Sequence, residues 1–113
     1  MQELNYLSMI SAVRDCITTD GLSVCIFTRL EASRSDVLSE VIESMTEEEQ
    51  DAVLWISKSA NTAFIEFKNK SCIRVAAANE KARGYRFHKV LYEEDIEREI
   101  LDDIIRPIEK PRF

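Results

Sequence analysis

Three carboxylates, Glu93, Glu94 and Asp95, follow directly on an apolar run over residues 87–92. An apolar strand that delivers acidic side chains at its C-terminal tip is how many phosphoryl-transfer sites hold Mg²⁺ and orient a hydrolytic water. In that role Glu93 binds the metal or its water and Glu94 is the base. The same residues also suit the first turn of a following helix, where acidic side chains complement the helix dipole and face solvent. A carboxylate pair acts on a triphosphate only if something holds the phosphates, commonly the backbone amides of a glycine-rich loop ending in Lys-Ser or Lys-Thr. The chain has two glycines, Gly21 and Gly84, and neither stands in that frame. Autonomous ATP hydrolysis by that machinery is therefore not expected, and neither ATP nor Mg²⁺ is expected as a cofactor.

A second constellation is basic. Lys81, Arg83, Arg86 and His88 surround Gly84 and Tyr85, and Arg74 joins them from the preceding strand. These side chains could grip a phosphate or a partner's carboxylates, with Tyr85 as a stacking platform. They could equally form a solvated loop that neutralises Glu93, Glu94 and Asp95, since pairing of exposed charges is common and individually weak. His88 is expected to be structural, because no Ser or Cys nucleophile stands in a recognisable frame beside it. Trp55 and Phe113 read as packing anchors. Cys16, Cys25 and Cys72 lack C-x-x-C spacing and lie in apolar contexts, so buried free thiols in a reducing compartment are expected.

The elements that must position these groups follow from hydrophobic periodicity. Leu4, Leu7, Ile10, Val13 and Ile17 recur at steps of three and four, predicting a helix over residues 3–19, with Gly21 in a left-handed conformation at its end. Residues 22–28 form a nearly continuous β-branched and aromatic run, as in a parallel strand buried on both faces. Ser33 or Ser35 starts a second helix carrying Val37, Leu38, Val41, Ile42 and Met45. Thr46 and Glu49 form a capping box for a short helical stretch that reaches Val53, Leu54 and Trp55. Residues 62–67 and 71–76 pair as a hairpin around Asn69-Lys70, residues 87–92 form the last strand, and Ile96 to Ile105 carry a final helix before Pro107. The fold class is α/β: a small, partly parallel sheet with a β-hairpin, flanked by three main helices. One domain over residues 1–113 is expected, with 107–113 as a flexible tail.

Composition bounds the function. The net charge is −6, from 21 acidic and 15 basic residues, which disfavours broad binding of nucleic acid through the overall field but permits a local basic patch and a basic partner. Nothing in the sequence resembles a signal peptide or a long apolar span, so a cytoplasmic protein of a bacterial host cell without membrane contact is expected.

Taken together, these residues resemble the ATPase core of phage terminase large subunits, the DNA-packaging motors. Residues 4–19 look like the helix that follows the phosphate loop, 23–28 like the next strand, and 62–76 like the hairpin. Ala82-Arg83-Gly84-Tyr85-Arg86 is similar to the family's Ala-Arg-Gly-x-Arg loop, and Val90-Leu91-Tyr92-Glu93-Glu94 to its acidic strand end. This loop and strand end are the specific part of the resemblance. The chain departs from the pattern in Glu93-Glu94, which stands where the family has Asp-Glu. The first strand and its phosphate loop would lie before Met1, and the nuclease half would lie beyond this chain. The resemblance implies that the two retained parallel strands are neighbours. It also implies an open sheet edge where the missing strands would sit, inviting strand addition or a homodimer.

The expected function is a non-catalytic protein-binding module of phage or prophage origin, such as an inhibitor of a host nucleic-acid or defence enzyme. It would act through Arg74, Lys81, Arg83, Tyr85, Arg86 and Asp95 or through the open edge. The alternative is a partial ATPase or DNA-packaging subunit that completes an ATP-Mg²⁺ site with a partner chain, using Glu93 and Glu94.

Overall fold

The computed structural model describes residues 1–59 and 63–111. Over residues 22–28 the apolar run does form a strand, β2 (Ser23–Thr28), with Val24 to Thr28 all buried. The strands in chain order are β1 (Gln2–Glu3), β2, β3 (Val53–Ser57), β4 (Phe64–Phe67), β5 (Cys72–Ala77) and β6 (Lys89–Tyr92). They form one mixed sheet in the order β1-β6-β2-β5-β4-β3. β1, β6, β2 and β5 run parallel, while β4 is antiparallel to both β5 and β3. β2 and β6 are parallel neighbours, with Val24 opposite Lys89 and Phe27 opposite Tyr92.

Helices cover the two faces unequally. On one face α1 (Tyr6–Thr18) and α2 (Arg34–Ser44) pack through Met9, Ala12, Val13, Val37, Leu38 and Val41 onto Val24, Ile26, Ile65, Ile73 and Leu91. On the other, a short α-helical turn α4 (Arg98–Ile100), a π-helical turn (Leu101–Ile105) and a 3₁₀ turn (Arg106–Ile108) lay Ile104, Ile105 and Ile108 over Cys25, Phe27, Ala76 and Val90. The alternation within the hairpin decides which residues join which layer. Ala63, Ile65 and Phe67 point into the first core, and Arg74 and Ala76 point to the opposite face from Ile73 and Val75.

Several boundaries depart from expectation for identifiable reasons. α1 starts at Tyr6, because Asn5 caps it: the Asn5 side chain accepts from the Ser8 amide and the Ser8 hydroxyl accepts from the Asn5 amide, both at 2.9 Å. Gln2 and Glu3 are thereby released to pair with Leu91 and Tyr92. The sheet edge beside β6 is thus occupied by the chain's own N-terminal strand. The outer strands are β1, two residues long, and β3. Thr46 and Glu49 form the expected capping box, but the helix they start, α3 (Glu47–Asp51), ends before Val53. Residues 53–57 are a strand rather than helix, because pairing with β4 outweighs local propensity. Gly21 has φ +70° as expected, two residues beyond the helix cap at Thr19.

Residues 108–110 are tied to the sheet. Ile108 is buried, Lys110 donates to the Phe87 carbonyl at 2.7 Å, and the Glu109 carboxylate accepts from the Val90 amide and pairs with the N-terminal ammonium at 2.7 Å. Residue 62 of the expected hairpin and the expected anchor Phe113 lie outside the described residues. Among the described residues no helix is long and apolar enough to cross a membrane.

Candidate functional site

The four parallel strands end on one side of the sheet, and two crevices open there. The chain leaves β1 into α1 on one face and leaves β6 toward the helical turns of residues 98–108 on the other. Adjacent parallel strands whose connections diverge in this way leave a crevice at their C-terminal ends, where open α/β sheets commonly bind ligands. The larger crevice, about 760 Å³, lies at this point. It is lined by Leu4, Tyr6 and Met9 together with Glu40 and Glu43 from α2 and Glu93, Glu94 and Asp95 from the loop after β6.

The strand-to-helix junction at this crevice is very short. Leu4 donates its amide to the Tyr92 carbonyl at 2.7 Å, still following β6, and Asn5 already caps α1. No glycine loop intervenes, and the Asn5 side chain satisfies the Ser8 amide that could otherwise have turned to a phosphate. Glu93 is committed as well: its amide donates to the Phe27 carbonyl at 3.0 Å, and its carboxylate accepts the Arg29 amide at 2.8 Å. It closes the end of β2 rather than opening the last helix, which begins only at Arg98. Glu94 and Asp95 are exposed. Among the described residues no three His, Cys, Asp or Glu side chains are arranged to hold a metal ion.

The second crevice, about 180 Å³, opens at the end of β5. Here Arg74 and Tyr85 meet. The Arg74 guanidinium lies over the Tyr85 ring, 4.7 Å from its centroid, and donates to the Tyr85 hydroxyl at 3.1 Å. Phe87 meets Tyr85 edge-on, with ring centroids 6.2 Å apart. Lys81 and Arg34 line the same crevice, and Arg34 is a member that the sequence reading missed. Nothing local marks Arg34, since it reaches this place only because the start of α2 folds beside the end of β5.

The loop that carries these groups does not act as a unit. Arg83 pairs with Glu80 three residues earlier, and Arg86 donates to the Tyr85 carbonyl at 2.7 Å. Lys81 faces Glu31 at 3.7 Å. Among the described residues, then, none of these three side chains pairs with Glu93, Glu94 or Asp95, and the basic loop does not neutralise the acidic tip. The Arg83 hydrogen bond holds the Glu80 carboxyl below its ordinary range, although both groups are exposed.

His88 pins strand ends together. The Ser23 amide donates to Nδ1 at 3.0 Å and the His88 amide donates to the Ser23 hydroxyl at 3.1 Å. The Ser23 hydroxyl stands 3.2 Å from the same nitrogen, so Nδ1 is shared between the Ser23 amide and hydroxyl, and the fold sets beside His88 a serine that the local sequence did not mark. Trp55 is not the buried anchor expected from its type. It is half exposed, donates its indole N–H to Glu66 at 2.8 Å, and meets Phe64 edge-on. Cys16, Cys25 and Cys72 are free thiols, the first two buried and Cys72 partly so. Burial pushes Cys16 up to about 12 and raises Cys25 and Cys72 as well, which keeps all three as unreactive thiols near neutral pH.

No protein-family model matches this chain, and no curated protein matches it at a significant level.

Proposed function

We propose that this chain is a non-catalytic binding module, of phage or prophage origin and derived from a terminase-like ATPase core. It works in the cytosol by taking a basic segment of a partner protein into the larger crevice. One observation carries this reading: the place where a sheet of this kind would receive phosphates is lined by five carboxylates, Glu40, Glu43, Glu93, Glu94 and Asp95, beside the apolar Leu4 and Met9. Such a lining repels a triphosphate. It suits Lys or Arg, whose aliphatic stem seeks apolar surface while the charged head stays at a wetter, acidic edge. The parallel neighbours β2 and β6 support descent from an ATPase-like sheet, and the short junction at Asn5 supports the loss of nucleotide chemistry. An inhibitor that sets an acidic surface into the basic channel of a host nucleic-acid or defence enzyme fits this chemistry.

The test is calorimetric titration of the purified chain with Mg²⁺-ATP and, separately, with an arginine-rich peptide, together with turnover assays with and without DNA. Peptide binding is expected, weakened at high salt and by Glu43→Lys with Glu94→Lys; ATP binding and turnover are not expected. ATP turnover that Glu94→Gln abolishes would overturn the proposal in favour of a partial ATPase.

A further inference from the structure

We infer that the smaller crevice is a binding site for a phosphate monoester or free phosphate, read by Arg74 with help from Arg34 and Lys81. This stands apart from the partner reading, because it concerns a different crevice and small anions can titrate it directly.

Four observations converge. Arg74 is half buried on β5, and among the described residues no carboxylate lies within ion-pair distance of it. Its guanidinium is held in place by the Tyr85 ring and hydroxyl, and Phe64 is its cross-strand neighbour on β4. A planar guanidinium fixed in this way has lost its rotamer freedom in advance, so little further ordering is needed when its remaining N–H groups meet an oxyanion. Second, two more cations line the same crevice, and Arg34 is itself steadied by a 3.1 Å hydrogen bond from Nε to the Glu31 carbonyl.

Third, the size is right for a small anion and wrong for a large ligand. The volume of about 180 Å³ is below the roughly 300–1,000 Å³ of organic-ligand pockets. Fourth, one anion already stands at the rim. The Glu31 carboxylate receives Asn79 Nδ2 at 3.4 Å and faces Lys81 Nζ at 3.7 Å. Both contacts are long, and the ion pair is exposed, so Glu31 is a weakly held occupant that a doubly charged phosphate can displace.

The experiment follows Arg side-chain N–H resonances and heats of binding while the full chain, in a phosphate-free buffer, is titrated with inorganic phosphate, O-phosphoserine and adenosine monophosphate. Saturable binding with movement of the Arg74 signal is expected. Equal affinity for the three probes means that the anion alone is read, and tighter binding of one ester identifies its carrier; both support the site. Arg74→Gln should weaken binding by about tenfold or more, the loss of one charge-assisted contact. Arg74→Lys keeps the charge but not the planar fork, and should weaken binding too. It serves as the second variant if Arg74→Gln fails to fold. Glu31→Gln should tighten binding by removing the competing carboxylate. Absence of saturable binding, undiminished binding in a folded Arg74 variant, or no tightening with Glu31→Gln would each overturn the inference.

Discussion

The two crevices sit on either side of the end of β2, yet their charges are organised in opposite ways. In the acidic crevice the carboxylates come from α2 and the loop after β6, and Glu93 alone among the last three is tied to a backbone amide. In the basic crevice Arg74 is held rigidly against an aromatic ring, Arg34 donates to a backbone carbonyl, and one loosely held carboxylate stands nearby. The first is a broad, solvated field suited to steering and to many weak contacts. The second is a narrow, preorganised cation suited to one anion. Cys25 stands opposite both Arg74 and Val90, so Arg74 lies two strands across from Glu93 and three residues short of it, roughly 14 Å by strand spacing and rise and beyond the ~10 Å Debye length at 0.1 M salt. Each crevice can therefore hold its own sign of field without being cancelled by the other.

The strongest way to break the comparison is to remove what both crevices share. Phe27 is fully buried, opposite Ala76 on the basic side and Tyr92 on the acidic side. Phe27→Ala should cost about 3–5 kcal/mol of stability by leaving a cavity, read as a fall in the urea midpoint, and should impair both crevices together. A milder change separates them. Glu93→Ala strips the Arg29 amide of its partner and should cost about 1 kcal/mol, with phosphate binding at Arg74 unchanged; Glu93→Gln keeps an acceptor and should cost less. Loss of phosphate binding in Glu93→Ala would mean that the crevices are coupled through the end of β2.

The smallest effect sharpens the contrast between crevice and loop. Arg83 and its partner Glu80 are exposed and pair with each other rather than lining the basic crevice. Arg83→Ala should leave the urea midpoint nearly unmoved, since an exposed ion pair contributes little, and phosphate affinity within about twofold of the unaltered chain. A larger loss of affinity would show that the whole loop, rather than Arg74 with Arg34 and Lys81, reads the anion.

Local signals were readable where the physics is local. The Thr46–Glu49 capping box, the left-handed Gly21, the buried run over Ser23–Thr28 and the hairpin alternation all involve residues close in sequence. A start signal for α1 was also present, Asn5 with Ser8 three residues on, and it places residues 3–5 before the helix rather than in it. β3 was harder, because Val53-Leu54-Trp55 follows a helix without a break and becomes a strand only by pairing with β4.

By itself the sequence determined the α/β class, the absence of a phosphate-binding glycine loop and the residue types available for binding, since these depend on composition and short-range pattern. Tertiary structure alone decided which charges meet. It paired Arg83 with Glu80 rather than with the acidic tip, brought Arg34 beside Arg74, set Glu40 and Glu43 around Glu94, and closed the edge of β6 with β1. The reason is that strand order and register join segments up to about ninety residues apart, Gln2 with Leu91 among them, and no local periodicity encodes that choice.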